Sequence, residues 1–154
     1  TATAEFNVWA DPHAASIVFS AGLQPFRMAG LNLTHKFGID EQIITDLRGI
    51  NNQVADFAAD LFDFYLMSYQ KRTRGQRVPL HDPCAVLAIT HPELFEFELR
   101  NVTVETEGVY TRGMTVVDQR GWGDQPLNCE VAYEIDRDRG MQIFLETMET
   151  YTVS

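Results

Sequence analysis

Short apolar runs, each followed by a helix-capping residue, organise the first forty positions of the chain. Phe6–Ala10 is β-prone, and Asp11-Pro12 follows it as an N-cap with proline at the first helical position, which predicts a strand and then a helix ending at Ser20. The apolar run Phe26–Leu33 predicts a second strand, and Asp40 predicts the cap of a further helix. Because strand and helix alternate, we expect an α/β fold whose sheet is mostly parallel, with crossover helices.

A long amphipathic helix is predicted over Gln53–Gln70. Its apolar side chains recur at three- and four-residue spacing, so we expect one helical face to pack in the core: Val54, Phe57, Ala58, Leu61, Phe62, Tyr65 and Leu66. The basic segment Lys71–Arg77 follows, with a glycine among its charges. It is interpreted as a solvated loop, or alternatively as a lid over a substrate pocket, because it leads directly into Leu80-His81-Asp82.

The rest of the chain is predicted to continue with helices and strands. A helix is expected to begin at Pro83 and end before His91-Pro92, with Asp82 as its N-cap in the simplest interpretation. The other predicted elements are strands over 96–105, 114–117 and 129–135, a turn over 121–124, and a closing helix over 139–151.

Composition limits the classes of partner. A chain of 154 residues with 45% hydrophobic content has the size of one globular domain. Its formal net charge of −10 would repel nucleic acid and anionic membranes, so we expect neither as a partner, whereas a small neutral polar ligand is compatible with it. No apolar stretch reaches the length of a membrane span, and no signal-peptide pattern is visible. A cytoplasmic enzyme is therefore expected.

The two cysteines, Cys84 and Cys129, have neither the paired spacing of a zinc site nor the pattern of a disulfide framework. We expect both to be reduced and buried.

His81 and Asp82 are candidates for chemistry. The pKa of an unperturbed histidine, about 6.5, suits a proton donor to a leaving group or a hydrogen-bonding partner that orients a bound ligand. A hydrogen-bonded structural histidine is the alternative. Asp82 is either a helix cap or a calcium ligand, since calcium takes several oxygen ligands and one carboxylate cannot form that site alone.

Glu5 and Asn7 are a second candidate pair. On a strand they would occupy alternate positions and point the same way, so a carboxylate and an amide could together bind two sugar hydroxyls. The alternative is a polar face at the solvent end of a strand.

These residues lie within motifs whose order resembles one enzyme family, the inosine-uridine nucleoside hydrolases. The motifs are Ala4-Glu5-Phe6-Asn7, Asp11-Pro12-His13-Ala14-Ala15, Gly30-Leu31-Asn32-Leu33-Thr34-His35, Pro79-Leu80-His81-Asp82 and Pro92-Glu93-Leu94-Phe95. The family's members are calcium-dependent enzymes that cleave the N-glycosidic bond of ribonucleosides. The resemblance covers the C-terminal half of the family's single α/β domain, the later part of a mostly parallel, Rossmann-like open sheet, and 1–154 is interpreted as that half.

The resemblance implies a role for each candidate. It assigns Glu5 and Asn7 to the ribose hydroxyls, His81 to the base side as the catalytic residue, and Asp82 to Ca²⁺. It also implies nucleoside salvage and a homo-oligomer, a dimer or tetramer. The family's N-terminal Asp-rich metal motif does not occur in these residues, so we expect the isolated chain to be inactive and to require the N-terminal half as a partner.

Two other classes remain open. One is a non-catalytic nucleoside-binding or assembly module that uses the same residues without turnover. The other is a metal-free glycosidase with Glu5 and Asp82 as paired carboxylates, which would need these groups about 5 to 10 Å apart across a cleft.

Overall fold

The computed structural model describes residues 1–72, without the Arg72 side chain, and 77–151. Residues 73–76, the centre of the predicted loop or lid, lie outside the described residues. The chain forms two compact units, the first comprising 1–31 and 96–133 and the second 32–95 and 134–154. Among the described residues, every helix is too short or too polar to cross a bilayer.

In chain order, the structure contains seven α-helices and seven strands within the described residues, with a short 3-10 turn over Pro92–Leu94. They are α1 Phe6–Ala10, α2 Pro12–Ser20, β1 Arg27–Met28, α3 Leu31–Thr34, β2 Gly38–Ile39, α4 Glu41–Gly49, α5 Gln53–Arg72, β3 Val78–Pro79, α6 His81–Thr90, β4 Phe95–Arg100, β5 Val102–Val104, β6 Thr115–Val117, β7 Cys129–Ile135 and α7 Arg137–Glu149.

The described strands form one three-stranded sheet and two two-stranded sheets. Strand β7 lies between β1 and β4, and it pairs with β1 in parallel. The bonds from Asn128 N to Arg100 O and from Asp136 N to Leu94 O show that β7 runs antiparallel to β4. Strands β2 and β3 are antiparallel, as are β5 and β6.

The α/β class is confirmed, but the prediction of a mostly parallel sheet is wrong for the described strands. Parallel neighbours need a long crossover, usually a helix. Among the described residues, no helix lies between β4 and β7, so the strands of that stretch pair antiparallel instead.

Two predicted strands near the N-terminus are helical or short. Phe6–Ala10 is helix α1 and not a strand, because the carboxylate of Glu5 accepts hydrogen bonds from the backbone of Asn7 and Val8 and so caps a helix. Phe26–Leu33 contains only the two residues of β1 before α3 begins. Short apolar runs occur in helices as well as in strands, so their pattern did not separate the two.

Helix α6 begins earlier than predicted. Its first residue is His81, its N-cap is Leu80, and Asp82 is therefore not the cap. Pro83 is tolerated as the third helical residue because the first N–H groups of a helix have no acceptor within the helix. The caps at Asp11 and Asp40 are confirmed, since their carboxylates accept from Ala14 N at 2.9 Å and Ile43 N at 3.2 Å.

The predicted core face of α5 is only partly buried. Ala58 and Leu66 are buried, whereas Phe57 and Leu61 are exposed, with Phe57 at 70%. The buried face is lined instead by small side chains, including Ala55 and Ala59. Alanines allow close approach of neighbouring helices, and the larger apolar side chains of α5 are left on the opposite, accessible face.

Each unit has its own core. In the first unit, Val102, Cys129 and Val131 are buried, and Phe19 meets Phe26 edge-to-face at 4.9 Å. The core of the second unit contains these buried side chains: Leu33, Phe37, Ile39, Leu47, Leu66, Val78, Leu80, Leu87 and Met141.

Gly140 allows α7 to approach the fully buried ring of Phe37. A Cβ added at Gly140 would lie 2.9 Å from Phe37 Cε2, whereas one added at Gly49 would meet open space. Because the surrounding core is packed, we expect Gly140→Ala to lower the free energy of unfolding by about 1–3 kcal/mol. Urea unfolding should show no loss for the helical control Gly49→Ala, and equal stability of the two variants would contradict this account of the close approach.

Both cysteines are free and fully buried, as predicted. Burial raises the pKa of Cys84 to about 12 and that of Cys129 to about 11. At pH 8 neither thiol should ionise appreciably in the native state, so we expect both to react with a thiol reagent only after unfolding. Rapid labelling of either cysteine in the folded protein would contradict the observed burial.

Candidate functional site

His81 is placed by the antiparallel pair of strands β2 and β3. Gly38 pairs with Pro79, and Leu80 N donates to Phe37 O at 2.8 Å immediately before α6 begins. The two strands approach closely at Gly38, where an added Cβ would lie 2.9 Å from Val78 O. His81 is therefore fixed at the first position of a helix that starts directly after a paired strand.

The imidazole of His81 contacts two residues at the end of α3. Its Nδ1 lies 2.8 Å from the hydroxyl oxygen of Thr34, a side chain that is only 2% exposed. The ring of His35 is tilted against it, with 5.7 Å between the ring centroids. The orientation of the His81 ring is thus defined by neighbours from a different part of the chain.

Asp82 is exposed at the second position of α6. Within the described residues, its carboxylate accepts no hydrogen bond and forms no ion pair. It lies in the first turn of the helix. The carboxylate is available to a ligand.

His81 and Asp82 open into a cleft of about 460 Å³ in the second unit. Its other lining residues are Leu61, Phe62, Phe64 and Tyr65 of α5 with Pro79, Leu80 and Pro83. The side chains that α5 leaves outside the core therefore form one wall of this cleft. An imidazole, a carboxylate and aromatic rings together suit a flat, polar-edged ring such as a nucleobase.

Glu5 and Asn7 lie in the first unit and differ from the prediction. Glu5 is the N-cap of α1 and Asn7 lies in its first turn, so the two residues do not occupy alternate positions of a strand. Glu5 Oε2 accepts from Asn7 N at 3.0 Å and from Val8 N at 3.3 Å, while among the described residues Oε1 accepts no hydrogen bond. Oε1 and the exposed amide of Asn7 are the groups that could meet a sugar hydroxyl.

Helix α1 is held in place by the segment before β6. Arg112 Nη1 donates to Trp9 O at 3.2 Å. Gly113 has a positive φ of 84°, and a Cβ there would lie 2.9 Å from Trp9 Cα. These contacts position Glu5 although α1 has only five residues.

The described residues do not form a metal site by themselves. No group of three or more histidine, cysteine, aspartate or glutamate side chains among them could hold an ion. Calcium takes six to eight oxygen ligands. Asp82 would contribute one, so the remainder would have to come from outside these residues.

Sequence reasoning did not identify Thr34 or the accessible face of α5 as parts of the site. Phe64 is not one of the residues of the predicted core face of α5. Phe62 and Tyr65 are predicted to pack in the core. The apolar positions of α5 extend beyond one stripe, since Ala55 and Ala59 lie between members of the predicted series. That excess width was the signal that some of its aromatic side chains face elsewhere.

Comparison with known proteins agrees with these features. The inosine-uridine preferring nucleoside hydrolase family matches residues 1–142, and the chain belongs to this family. It is 39% identical over 153 residues to the pyrimidine-specific ribonucleoside hydrolase RihA of Shewanella woodyi, covering 99% of this chain and 49% of that protein. The corresponding Salmonella paratyphi A protein is 42% identical over 153 residues, with 98% and 49% covered.

Solved structures support the fold. A purine-preferring ribonucleoside hydrolase from Gardnerella vaginalis superposes with a TM-score of 0.84 at 31% identity, covering 96% of this chain and 46% of that chain. A plant nucleoside hydrolase, PpNRh1, gives 0.86 at 24% identity, with 97% and 48% covered, and shows the fold alone. The chain spans about half the length of the curated relatives it matches.

Asp40 lies in the same unit as Asp82, but its carboxylate caps a helix and forms ion pairs. Burial opposes its ionisation, but the hydrogen bond from Ile43 N and the guanidinium groups of Arg77 and Arg137 outweigh that effect, so the pKa of Asp40 is lowered. Its Oδ2 lies 3.2 Å from Arg77 Nε and 3.3 Å from Arg137 Nη2.

We expect Asp40→Ala to lower the free energy of unfolding by about 1–2 kcal/mol, because it removes a cap and its ion pairs. Asp82→Ala should change it by no more than about 0.5 kcal/mol. A lowered pKa means that the Asp40 contribution is complete above the ordinary carboxyl pKa and is lost as pH falls through the folded value. Urea unfolding at neutral and acidic pH tests this, and equal losses for the two variants would contradict the contrast.

Proposed function

We propose that the protein containing this chain hydrolyses the N-glycosidic bond of ribonucleosides, releasing the base and ribose. The observation that carries the proposal is the cleft of the second unit, where His81 and Asp82 share a cavity with the aromatic face of α5. Family membership supports it, since the matched relatives are named as ribonucleoside hydrolases. Both RihA relatives are pyrimidine-specific, so uridine and cytidine are the substrates to test first.

The proposed reaction adds water across the glycosidic bond. The water oxygen bonds to C1′ of the ribose as the carbon–nitrogen bond breaks, one water proton ends on the departing base, and the sugar carbon passes through a state with positive character. Carboxylates near that carbon stabilise the charge electrostatically. Glu5 and Asn7 are proposed to bind ribose hydroxyls, and His81 to interact with the base, whose rings would pack against the aromatic wall.

Calcium is part of this proposal through Asp82. The ion, when bound, would supply electrostatic stabilisation and orient oxygen atoms. Asp82 is the one carboxylate among the described residues that line the cleft. The other calcium ligands are therefore proposed to come from the part of the protein that this chain does not include. On that basis the isolated chain is proposed to be inactive, with the N-terminal half as its partner, and cytoplasmic location and homo-oligomerisation stay predictions.

The test uses the full-length protein with uridine. We expect Asp82→Asn to remove turnover, and His81→Ala to lower kcat/KM by about 10²–10⁴-fold, as loss of a group assisting the leaving base would. Asp56→Asn is the matched control, because Asp56 is an exposed carboxylate in the same unit outside the cleft. Chelation by EGTA should abolish turnover and added calcium should restore it.

Different outcomes would separate the alternatives. Activity that persists in EGTA would contradict the calcium assignment and favour a metal-free glycosidase that uses Glu5 and Asp82 as paired carboxylates. Binding of uridine without any turnover by the wild-type protein would favour a non-catalytic nucleoside-binding module. Full activity of Asp82→Asn and His81→Ala would place the reaction away from this cleft.

A further inference from the structure

We propose that Thr34 is a positioning residue for His81. Its hydroxyl donates a hydrogen bond to Nδ1, which fixes the ring and keeps a proton on Nε2, and Nε2 then donates a hydrogen bond to the nucleobase. The inference rests on the proposed function, because it assigns His81 to the base. It concerns a contact between residues 47 positions apart in the sequence.

The burial of Thr34 is the first argument. Thr34 is the single polar residue in the buried core of the described residues. A buried hydroxyl is unfavourable unless it is hydrogen-bonded. Its oxygen lies 2.8 Å from His81 Nδ1, which is the distance of a well-formed bond. A valine has nearly the same shape and would fill this site without a polar atom. Packing alone therefore does not explain why a hydroxyl group is present.

The backbone around the pair is the second argument. Thr34 O accepts from Phe37 N at 3.1 Å, and Phe37 O accepts from Leu80 N at 2.8 Å. Phe37 itself is fully buried. Two backbone hydrogen bonds therefore join the end of α3 to the residue before His81, so the relative position of the two side chains is set by a rigid frame.

The chemistry of imidazole gives the consequence. A neutral histidine carries one ring proton, and the hydrogen bond made by one nitrogen determines which tautomer is present. With Thr34 donating to Nδ1, the proton resides on Nε2. A hydrogen bond from Nε2–H to the base would stabilise negative charge that develops on it as the glycosidic bond breaks, without requiring transfer of that proton.

His35 offers a competing explanation for the ring orientation. Its imidazole contacts that of His81 with 58° between the ring planes. His35 is exposed, so this contact has one side in solvent and restrains the ring less than a buried hydrogen bond. A variant at each position separates the two influences.

The experiment compares Thr34→Val, which keeps the shape, with Thr34→Ser, which keeps the hydroxyl, in the full-length protein. Thr34→Val should lower kcat for uridine by about 10- to 100-fold with a smaller change in KM, because the group is present but misoriented. Thr34→Ser should stay within about 3-fold of wild type, as a conservative rescue, because the hydrogen bond that sets the tautomer is retained. Thr45→Val, at an exposed helical threonine whose hydroxyl bonds Glu41 O, is the control and should match wild type.

A second measurement does not depend on turnover. Nitrogen NMR of ¹⁵N-histidine-labelled protein at fixed pH, with the His81 signals assigned by their loss in His81→Ala, should show the Nε2–H tautomer in wild type and Thr34→Ser. Thr34→Val should show a mixture of tautomers, while His35→Ala should retain the wild-type pattern.

The outcomes distinguish this inference from the function on which it rests. If wild type does not turn over any nucleoside, the proposed function fails, and the NMR comparison alone decides whether Thr34 sets the tautomer. If wild type is active but Thr34→Val equals wild type in kcat and spectrum, the inference fails and the function stands. If Thr34→Ser is as impaired as Thr34→Val, the methyl group and not the hydroxyl is responsible, which also overturns it.

Discussion

The backbone of Phe37 connects the elements that build the candidate site. Its carbonyl accepts from Leu80 N, its N–H donates to Thr34 O, and its ring is buried beneath α7. Gly38 and Gly140 permit this arrangement, because a Cβ at either position would come within 2.9 Å of Val78 O or of the Phe37 ring. A conformational change at Phe37 would therefore displace both residues of the Thr34–His81 contact.

Carboxylates serve two different purposes in this acidic chain. Glu5, Asp11, Asp40 and Asp136 each accept a backbone N–H at the start of a helix. Helix α6 has no such side-chain cap, and its nearest carboxylate, Asp82, extends into the cleft instead. The contrast supports the proposal that the Asp82 carboxylate binds a ligand, since it does not cap the helix on which it lies.

Local patterns predicted the elements whose ends carry strong signals. Asp11-Pro12 and Asp40 placed α2 and α4 correctly, and the strand predicted over 129–135 matched β7. Helix α1 was missed because glutamate is an uncommon cap and the segment is short. The parallel sheet was overestimated because strand direction depends on the connections between strands, and within the described residues no helix lies between β4 and β7.

The candidate site was predicted in part. The motif around His81 and Asp82 indicated both residues, and the structure places them in one cleft. The sequence shows Thr34 only as one residue of a motif. Its contact with His81 is long-range, so no local spacing predicts it. The wall formed by Phe64 and Tyr65 was missed for a related reason, since amphipathic spacing shows which residues share a helical face but not which face meets the core.

We propose that the protein containing this chain hydrolyses nucleosides and that the chain contributes the base-side wall of the active site. Product analysis by proton NMR tests it most directly, with the full-length protein, uridine and calcium in phosphate-free buffer. The account predicts free uracil and ribose in equal amounts as uridine disappears. Unchanged uridine in the presence of folded, calcium-loaded protein, or turnover only when phosphate is added, would contradict it.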